Sequence, residues 1–302
     1  MPLRHLYLNN NGLGPHAGIL IADALSELHT KKEAARKEGK DVPYLETVIC
    51  GRNRLENGSM TAWAKAFSLH NKIKEVKMVQ NGIRQEGIAH LLSEGLSKAT
   101  DLKVLDLQDN TFTLKAAKVL AKVAPRWAEI QELGIGDSLL GAKGTVLFAG
   151  ALGQGKNKKL EILRLQYNDI TAPGVKGLAE AAKDALPALK KIELNGNKFT
   201  EDDEAVLALK ELLEERKEKL GGDVVLEDEW GLDSLSDLEE EDSEDEEEEE
   251  DSEEEGDEED NVEERAEKLI HEAEEAQEEP VVQLGKDKEI DELTSKLAKT
   301  EI

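Results

Sequence analysis

A pattern of eleven residues recurs seven times in the first two hundred residues of this 302-residue chain. Apolar residues occupy its first, fourth, sixth and eleventh positions, and asparagine usually occupies the ninth, which we call the marker. In the first copy these residues are Leu3, Leu6, Leu8, Leu13 and the marker Asn11. The markers of the seven copies are Asn11, Asn53, Asn81, Asn110, Ser138, Asn168 and Asn197. Their separations of 42, 28, 29, 28, 30 and 29 residues indicate a stack of similar units.

This pattern and period are typical of the leucine-rich repeat. A period near 28 residues leaves room for a strand, a loop, a full helix and a return loop. The sequence therefore predicts an α/β solenoid, a horseshoe of long ribonuclease-inhibitor-like repeats with parallel strands on the concave face and helices outside. The alternative, unrelated βα units of a doubly wound sheet, does not explain seven matches at a nearly constant period.

The marker side chain has a predicted structural role. Where the chain turns out of each strand, backbone groups would be buried without partners, and an asparagine amide can satisfy both a donor and an acceptor. Ser138 is a weaker substitute in the fifth repeat, and Asn11 should be buried in its turn like the other markers. The long first step contains an insert, roughly residues 29–43, which we expect to form a lengthened helix end and a surface loop.

Charge divides the chain at residue 222. Residues 1–222 contain 33 Lys and Arg against 29 Asp and Glu, whereas residues 223–302 contain 6 against 38, a net charge of −32. We therefore predict a repeat domain at 1–222, closed by a polar capping helix over residues 201–220, and an acidic, largely disordered tail at 223–302. The run from Glu239 to Asp260 is almost entirely Glu, Asp and Ser and should be disordered.

Composition argues against several classes of function. Cys50, the single cysteine, occupies an inward strand position and is expected to be a core residue. The six histidines lack metal-ligand spacing and no phosphate-binding loop is present, so we expect no cofactor, no metal and no active site of the chain's own. No apolar run approaches the ~20 residues of a membrane span. The acidic tail would repel nucleic acid.

The first repeat begins abruptly, because Met1 and Pro2 lead straight into a strand. Solenoids need an end repeat with a polar outer face. We expect that repeats are missing upstream; the alternative is that Pro2 blunts an exposed edge strand.

The residue before each marker should lie where the strand becomes a loop, at the rim of the concave face. We call these residues the rim row; they are Asn10, Arg52, Gln80, Asp109, Asp137, Tyr167 and Gly196. Arg54, Arg84 and Asp106 lie nearby in the sequence. Such a polar ridge of mixed charge suits a protein partner, although ordinary solvated loop residues would have a similar composition.

Several strings are longer than the repeat consensus requires. They are LYLNNNGLGP at 6–15, ICGRNRLENGS at 49–59, VKMVQNGIR at 76–84 and VLDLQDNTF at 104–112. They resemble the RanGAP family, the GTPase-activating proteins of the nuclear-transport GTPase Ran, and most of all its fungal type. The resemblance covers residues 3 to about 220, and the acidic tail also fits. The fifth repeat, with Gly134 to Asp137, matches less well.

The resemblance implies a monomeric activator that works in trans on Ran in its GTP form, alone or together with a Ran-binding protein. It would keep Ran in the GDP form in the cytoplasm, including the perinuclear region. In this family a rim asparagine, here Asn10, is thought to orient the GTPase's own catalytic glutamine in place of an arginine finger. The residues expected to contact the partner are Arg52, Arg54, Gln80, Arg84 and Asp109. The alternative is a non-catalytic repeat scaffold or inhibitor.

Overall fold

Parallel strands lie side by side in sequence order through the computed structural model, which describes residues 2–220 and 230–239. The eight strands of the described residues are β1 (His5–Tyr7), β2 (Thr47–Ile49), β3 (Glu75–Lys77), β4 (Val104–Asp106), β5 (Glu132–Gly134), β6 (Ile162–Arg164), β7 (Lys191–Glu193) and β8 (Gly231–Leu232). The register is maintained from repeat to repeat, since Leu6 pairs with Val48 and Val48 with Val76. The predicted α/β leucine-rich repeat solenoid is confirmed.

A helix follows each of the first seven strands and packs against the helices of adjacent repeats. The helices are α1 (Pro15–Lys37), α2 (Met60–Leu69), α3 (Gln85–His90), α4 (Thr113–Val123), α5 (Ala142–Leu152), α6 (Ala172–Asp184) and α7 (Glu204–Leu220). As expected for the insert, α1 is long and a loop follows it. The buried Lys32 ammonium fastens this loop, because it donates hydrogen bonds to the carbonyls of Leu3 and of Pro43, the latter at 2.7 Å.

The core lies between the sheet and the helices and is formed by the apolar positions of the repeat pattern. Val48, Cys50 and Leu55 of the second repeat are completely buried, and so are their equivalents Val76, Met78 and Ile83 in the third. Burial raises the pKa of the Cys50 thiol to about 11, as expected for a core cysteine.

The marker asparagines connect each repeat to the one before it. The Asn81 amide donates to the Cys50 carbonyl at 2.8 Å, and its Oδ1 accepts the backbone N–H of Asn53 at 3.2 Å. Asn53, Asn110, Asn168 and Asn197 make equivalent bonds. Ser138 is shorter, and its hydroxyl donates to the Gly136 carbonyl of its own turn at 2.9 Å. The marker asparagines therefore satisfy the backbone of the turns as predicted from the sequence. In the fifth repeat, Ser138 bonds within its own turn instead.

Asn11 does not follow the prediction for a marker. The sequence pattern places it in a buried turn, but in the structure it is exposed, and its amide donates to the carbonyl of Asn9 at 3.1 Å. The prediction was wrong because β1 is an edge of the described sheet, so that no preceding repeat covers the turn. The backbone of this first turn instead hydrogen-bonds to the second repeat, because Asn53 Oδ1 accepts the Asn11 N–H at 2.8 Å.

The sheet extends beyond the boundary that charge indicated at residue 222. Residues 230–239, which we call the strap, contain β8, which pairs with β7. Leu232, Leu235 and Leu238 of the strap pack against the core. Charge alone could not indicate this, because three leucines suffice to attach a short acidic segment to a preformed apolar surface. Apart from Glu239, the acidic run lies outside the described residues. Within the described part, no helix is long and apolar enough to span a bilayer.

Candidate protein-docking site on the rim

All seven residues of the rim row have a left-handed backbone. Their φ angles are 51–57° from Asn10 to Tyr167 and 68° at Gly196. This conformation costs roughly 1–2 kcal/mol for most residues, so the surrounding structure must impose it. Hydrogen bonds to the next repeat hold the backbone in this conformation. The N–H of each rim residue from Asn10 to Tyr167 donates to a carbonyl of the next repeat at 2.7–3.0 Å. The structure thus aligns the row, with neighbouring members about 5 Å apart.

Asn10 is the first residue of this row, in the repeat that contains β1. It is exposed, and its N–H donates to the Gly51 carbonyl at 2.9 Å. Among the described residues, none hydrogen-bonds to the Asn10 carboxamide. The side chain therefore presents one acceptor and two donors to solvent from a backbone held in place by the second repeat.

Arg52, Gln80 and Asp109 follow Asn10 in the row, and their side chains interact. Burial and then the neighbouring Asp137 carboxylate raise the pKa of Asp109, whereas the Arg52 charge and a hydrogen bond from Gln80 oppose this change. Arg52 and Gln80 are exposed, and Asp109 is half-buried. The structure thus brings three of the predicted contact residues together as a connected polar surface beside Asn10.

The other two predicted contact residues lie outside the row. Arg54 also has a left-handed backbone, with φ of 52°, but it follows the marker Asn53 instead of preceding it. Arg84 immediately precedes α3, and its N–H donates to the Asn57 side chain at 2.8 Å. Both are exposed on loops that lead from strand to helix. They flank the rim row and do not extend it.

The strap contacts the other end of the row. The Tyr167 hydroxyl donates to the Asp237 carboxylate at 3.0 Å, and the Asn195 amide donates to the same carboxylate at 2.9 Å. Hydrogen bonding to Asp237 and then its charge raise the pKa of Tyr167. The Tyr167 ring lies over Gly196, where a Cβ would collide with it. The Asp233 carboxylate accepts the N–H groups of Leu194 and Asn195 at 2.7 and 3.1 Å.

Sequence reasoning missed the strap and one residue next to Asn10. The available signal for the strap was the three-residue spacing of Leu232, Leu235 and Leu238 within acidic sequence. The second residue is Asn9, whose Oδ1 accepts the Gly51 N–H at 2.6 Å. Its only signal was its place in a run of three asparagines. Within residues 2–220 and 230–239, no group of three or more His, Cys, Asp or Glu side chains could hold a metal ion.

Comparison with known proteins supports the repeat fold. Residues 98–121 and 156–179 match the leucine-rich repeat family model. The chain is 42% identical over 208 residues to Ran GTPase-activating protein 1 of Saccharomyces cerevisiae. The aligned region is 68% of this chain and 50% of the yeast protein. It is 47% identical over 81 residues to Ran GTPase-activating protein 1 of Xenopus laevis, covering 27% of this chain and 13% of the frog protein.

A different kind of repeat protein is also similar. The ribonuclease inhibitor of Sus scrofa is 30% identical over 204 residues, which are 66% of this chain and 41% of the inhibitor. The chain thus spans half or less of the length of each of these three relatives. The repeat architecture and the sequence identity over the repeats lead to the same conclusion. The chain is a leucine-rich repeat protein, and its resemblance to the Ran GTPase-activating protein family is confirmed across these repeats.

Proposed function

We propose that this chain is a GTPase activator that acts in trans on Ran in its GTP form, and that Asn10 orients the catalytic glutamine of Ran. Similarity to proteins named as Ran GTPase activators supports the partner. The observation that carries the role of Asn10 is its geometry, an exposed carboxamide without a hydrogen bond from the described residues, on a backbone that the next repeat holds.

An asparagine is chemically suited to this role. Its amide can donate to and accept from another amide, so it can select one rotamer of a glutamine without adding charge. A glutamine that positions the attacking water contributes mainly in the transition state. Binding energy used in this way raises the rate at saturation and affects affinity little. An arginine finger supplied by Arg52, the next residue in the row, is the rival mechanism.

The docking surface in this proposal is the first part of the rim row. Arg52, Gln80 and Asp109 would contact the GTPase, with Arg54 and Arg84 at the flanks. Their mixed charge suits a protein surface, on which such groups mainly govern encounter and orientation. The chain would act as a monomer without a cofactor, on Ran alone or bound to a Ran-binding protein, in the cytoplasm and its perinuclear region.

The test is single-turnover GTP hydrolysis by Ran, measured with increasing concentrations of the chain. We expect a rate that rises to a plateau far above the intrinsic rate. Asn10→Ala should lower the plateau, whereas Arg52→Ala should shift the concentration dependence more than the plateau. If Arg52→Ala removes the plateau and Asn10→Ala preserves it, the arginine mechanism replaces the glutamine mechanism. A chain that never raises the rate rules out the activator function.

The second candidate function is a non-catalytic scaffold or inhibitor, favoured by the similarity to ribonuclease inhibitor. The same titration separates the two functions. A scaffold would bind Ran, as followed by a fluorescent nucleotide or by calorimetry, while hydrolysis remained at its intrinsic rate.

A further inference from the structure

We infer that Asn9 and Gly51 are positioning residues that hold Asn10 in place for catalysis. This inference rests on the proposed function, because it assigns a purpose to the backbone around Asn10. It concerns the first repeat, where the turn that presents Asn10 lies at an edge of the described sheet.

Two hydrogen bonds connect residues 9 and 10 to the single residue Gly51. The Asn9 Oδ1 accepts the Gly51 N–H at 2.6 Å, and the Asn10 N–H donates to the Gly51 carbonyl at 2.9 Å. A third bond braces the turn, because the Asn11 amide donates to the Asn9 carbonyl at 3.1 Å. The backbone before and after Asn10 is therefore constrained, while its own side chain stays exposed.

Gly51 is needed here for space. A Cβ at this position would lie 3.1 Å from the Val79 carbonyl oxygen and 3.2 Å from Asn9 Oδ1. Both distances are shorter than ordinary van der Waals contact, so a larger residue would require Asn9 or the Val79 backbone to shift by a few tenths of an ångström. Gly51 is buried and is not among the residues with positive φ, so the requirement is for close approach and not for an unusual backbone.

We call the hydrogen bond that Asn9 Oδ1 accepts from the Gly51 N–H the clamp. The residue at the position of Asn9 differs between repeats. The residues that correspond to Asn9 are Gly51, Val79 and Gly136 in the second, third and fifth repeats, which have no side-chain acceptor, and Gln108, Gln166 and Asn195 in the fourth, sixth and seventh, which have one. The Gln108 oxygen accepts from the Gln166 amide at 2.6 Å, and the Asn195 oxygen accepts the Asp237 N–H at 2.9 Å. The turn at Asn10 lies beside β1, an edge of the described sheet, and its marker Asn11 is exposed. The clamp thus adds a side-chain bond to the backbone bond that connects this turn to the second repeat.

Loss of the clamp should affect catalysis more than docking, because a small displacement of an orienting group mainly weakens the transition state. In saturating single-turnover experiments, we expect Asn9→Ala to lower the plateau rate by about tenfold while the half-saturating concentration changes less than about twofold. Asn9→Asp keeps an oxygen acceptor at the same reach and should restore most of the rate. Gly51→Ala should act like Asn9→Ala.

Two controls separate positioning from folding. Asn11→Ala, the adjacent exposed asparagine, should reduce the plateau less than Asn9→Ala does, and thermal unfolding should show that every variant tested is folded. Amide hydrogen exchange measured without Ran should be faster at Gly51 N–H in Asn9→Ala and slow again in Asn9→Asp. If Gly51 exchange in Asn9→Ala equals that of the unsubstituted chain, the clamp does not exist in solution.

The outcomes for the clamp and for the activator function are distinct. An active unsubstituted chain whose Asn9→Ala variant has a full plateau rate would overturn the positioning role alone. The same holds if Asn9→Asp is folded and fails to recover the rate. If the unsubstituted chain does not accelerate hydrolysis at all, the proposed function falls and the positioning role falls with it, whatever the exchange result.

Discussion

The two ends of the rim row differ in what their side chains contact. At the first end, the Asn10 carboxamide is exposed and no described residue bonds to it. At the last end, the Tyr167 hydroxyl and the Asn195 amide both donate to Asp237 of the strap, and Gly196 lies beneath the Tyr167 ring. The same backbone geometry thus serves two purposes, presentation of a side chain at one end and attachment of the chain's own strap at the other.

Rim geometry alone therefore does not identify a docking site. A left-handed residue at the end of a repeat strand projects its side chain, whatever that side chain then contacts. The end at Asn10 differs because no described residue hydrogen-bonds to the Asn10 carboxamide. A partner can therefore bind this group without displacing an existing contact.

Asn10→Ala should lower the saturated rate of GTP hydrolysis by about 100-fold, the size expected when one preorganised polar contact to the transition state is lost. Tyr167→Phe, its counterpart at the end that bonds to the strap, should leave that rate unchanged. Single-turnover hydrolysis at saturating concentration measures both. Equal loss in the two variants would mean that the row acts as a whole, and full activity of Asn10→Ala would remove it from the mechanism.

Asn81→Ala should lower the free energy of unfolding by about 2–3 kcal/mol, because it leaves buried backbone groups of two repeats without partners. Asn11→Ala should cost less than about 0.5 kcal/mol, since that marker is exposed. Urea unfolding of the two variants provides the measurement. A large loss from Asn11→Ala would show that the first turn is buried in solution.

Truncation after Gly222 removes the strap, and truncation after Glu239 keeps it. The shorter chain should lose about 2 kcal/mol of stability, because it gives up the packing of three partly buried leucines and the bonds made by Asp233 and Asp237. The longer one should melt like the full chain. Equal melting of all three chains would mean that the strap contributes no stability.

Charge reversal at Arg52, Arg54 or Asp109 should weaken affinity for Ran by about tenfold, mostly through slower association, with smaller changes in the saturated rate. Lys65→Glu is a matched control, because Lys65 is exposed on α2 of the same repeat as Arg52 and on the opposite wall. Binding kinetics at two salt concentrations would test this. If the three reversals leave affinity unchanged, the docking surface lies elsewhere.

The smallest expected effect concerns the acidic run. Removal of residues after Glu239 should slow association with Ran severalfold at low salt and not at high salt, because long-range steering is screened within about 10 Å at 0.1 M salt. The alternative is that the run serves only for solubility. Equal association rates at every salt concentration would favour that alternative. Since the strap remains, the comparison is free of any change in fold.

Much of this molecule could be read from periodicity. The strand positions, the buried apolar set and the alignment of the rim row all follow from repetition, because each unit must bury the same face against its neighbours. The same reasoning failed at both edges of the described sheet. Asn11 has the sequence of a buried marker and is exposed, and the strap has the composition of a disordered tail and pairs with β7.

A pattern repeated seven times was enough to predict the solenoid, the order of its strands and which residues share the rim. Only the folded chain shows which rim side chains make no hydrogen bond within the described residues, which bond to the strap and which residues support Asn10. Those outcomes depend on contacts between residues distant in the chain, such as Asn9 with Gly51 and Tyr167 with Asp237. A local pattern cannot specify them, because the residues within one repeat do not determine which distant segment will contact it.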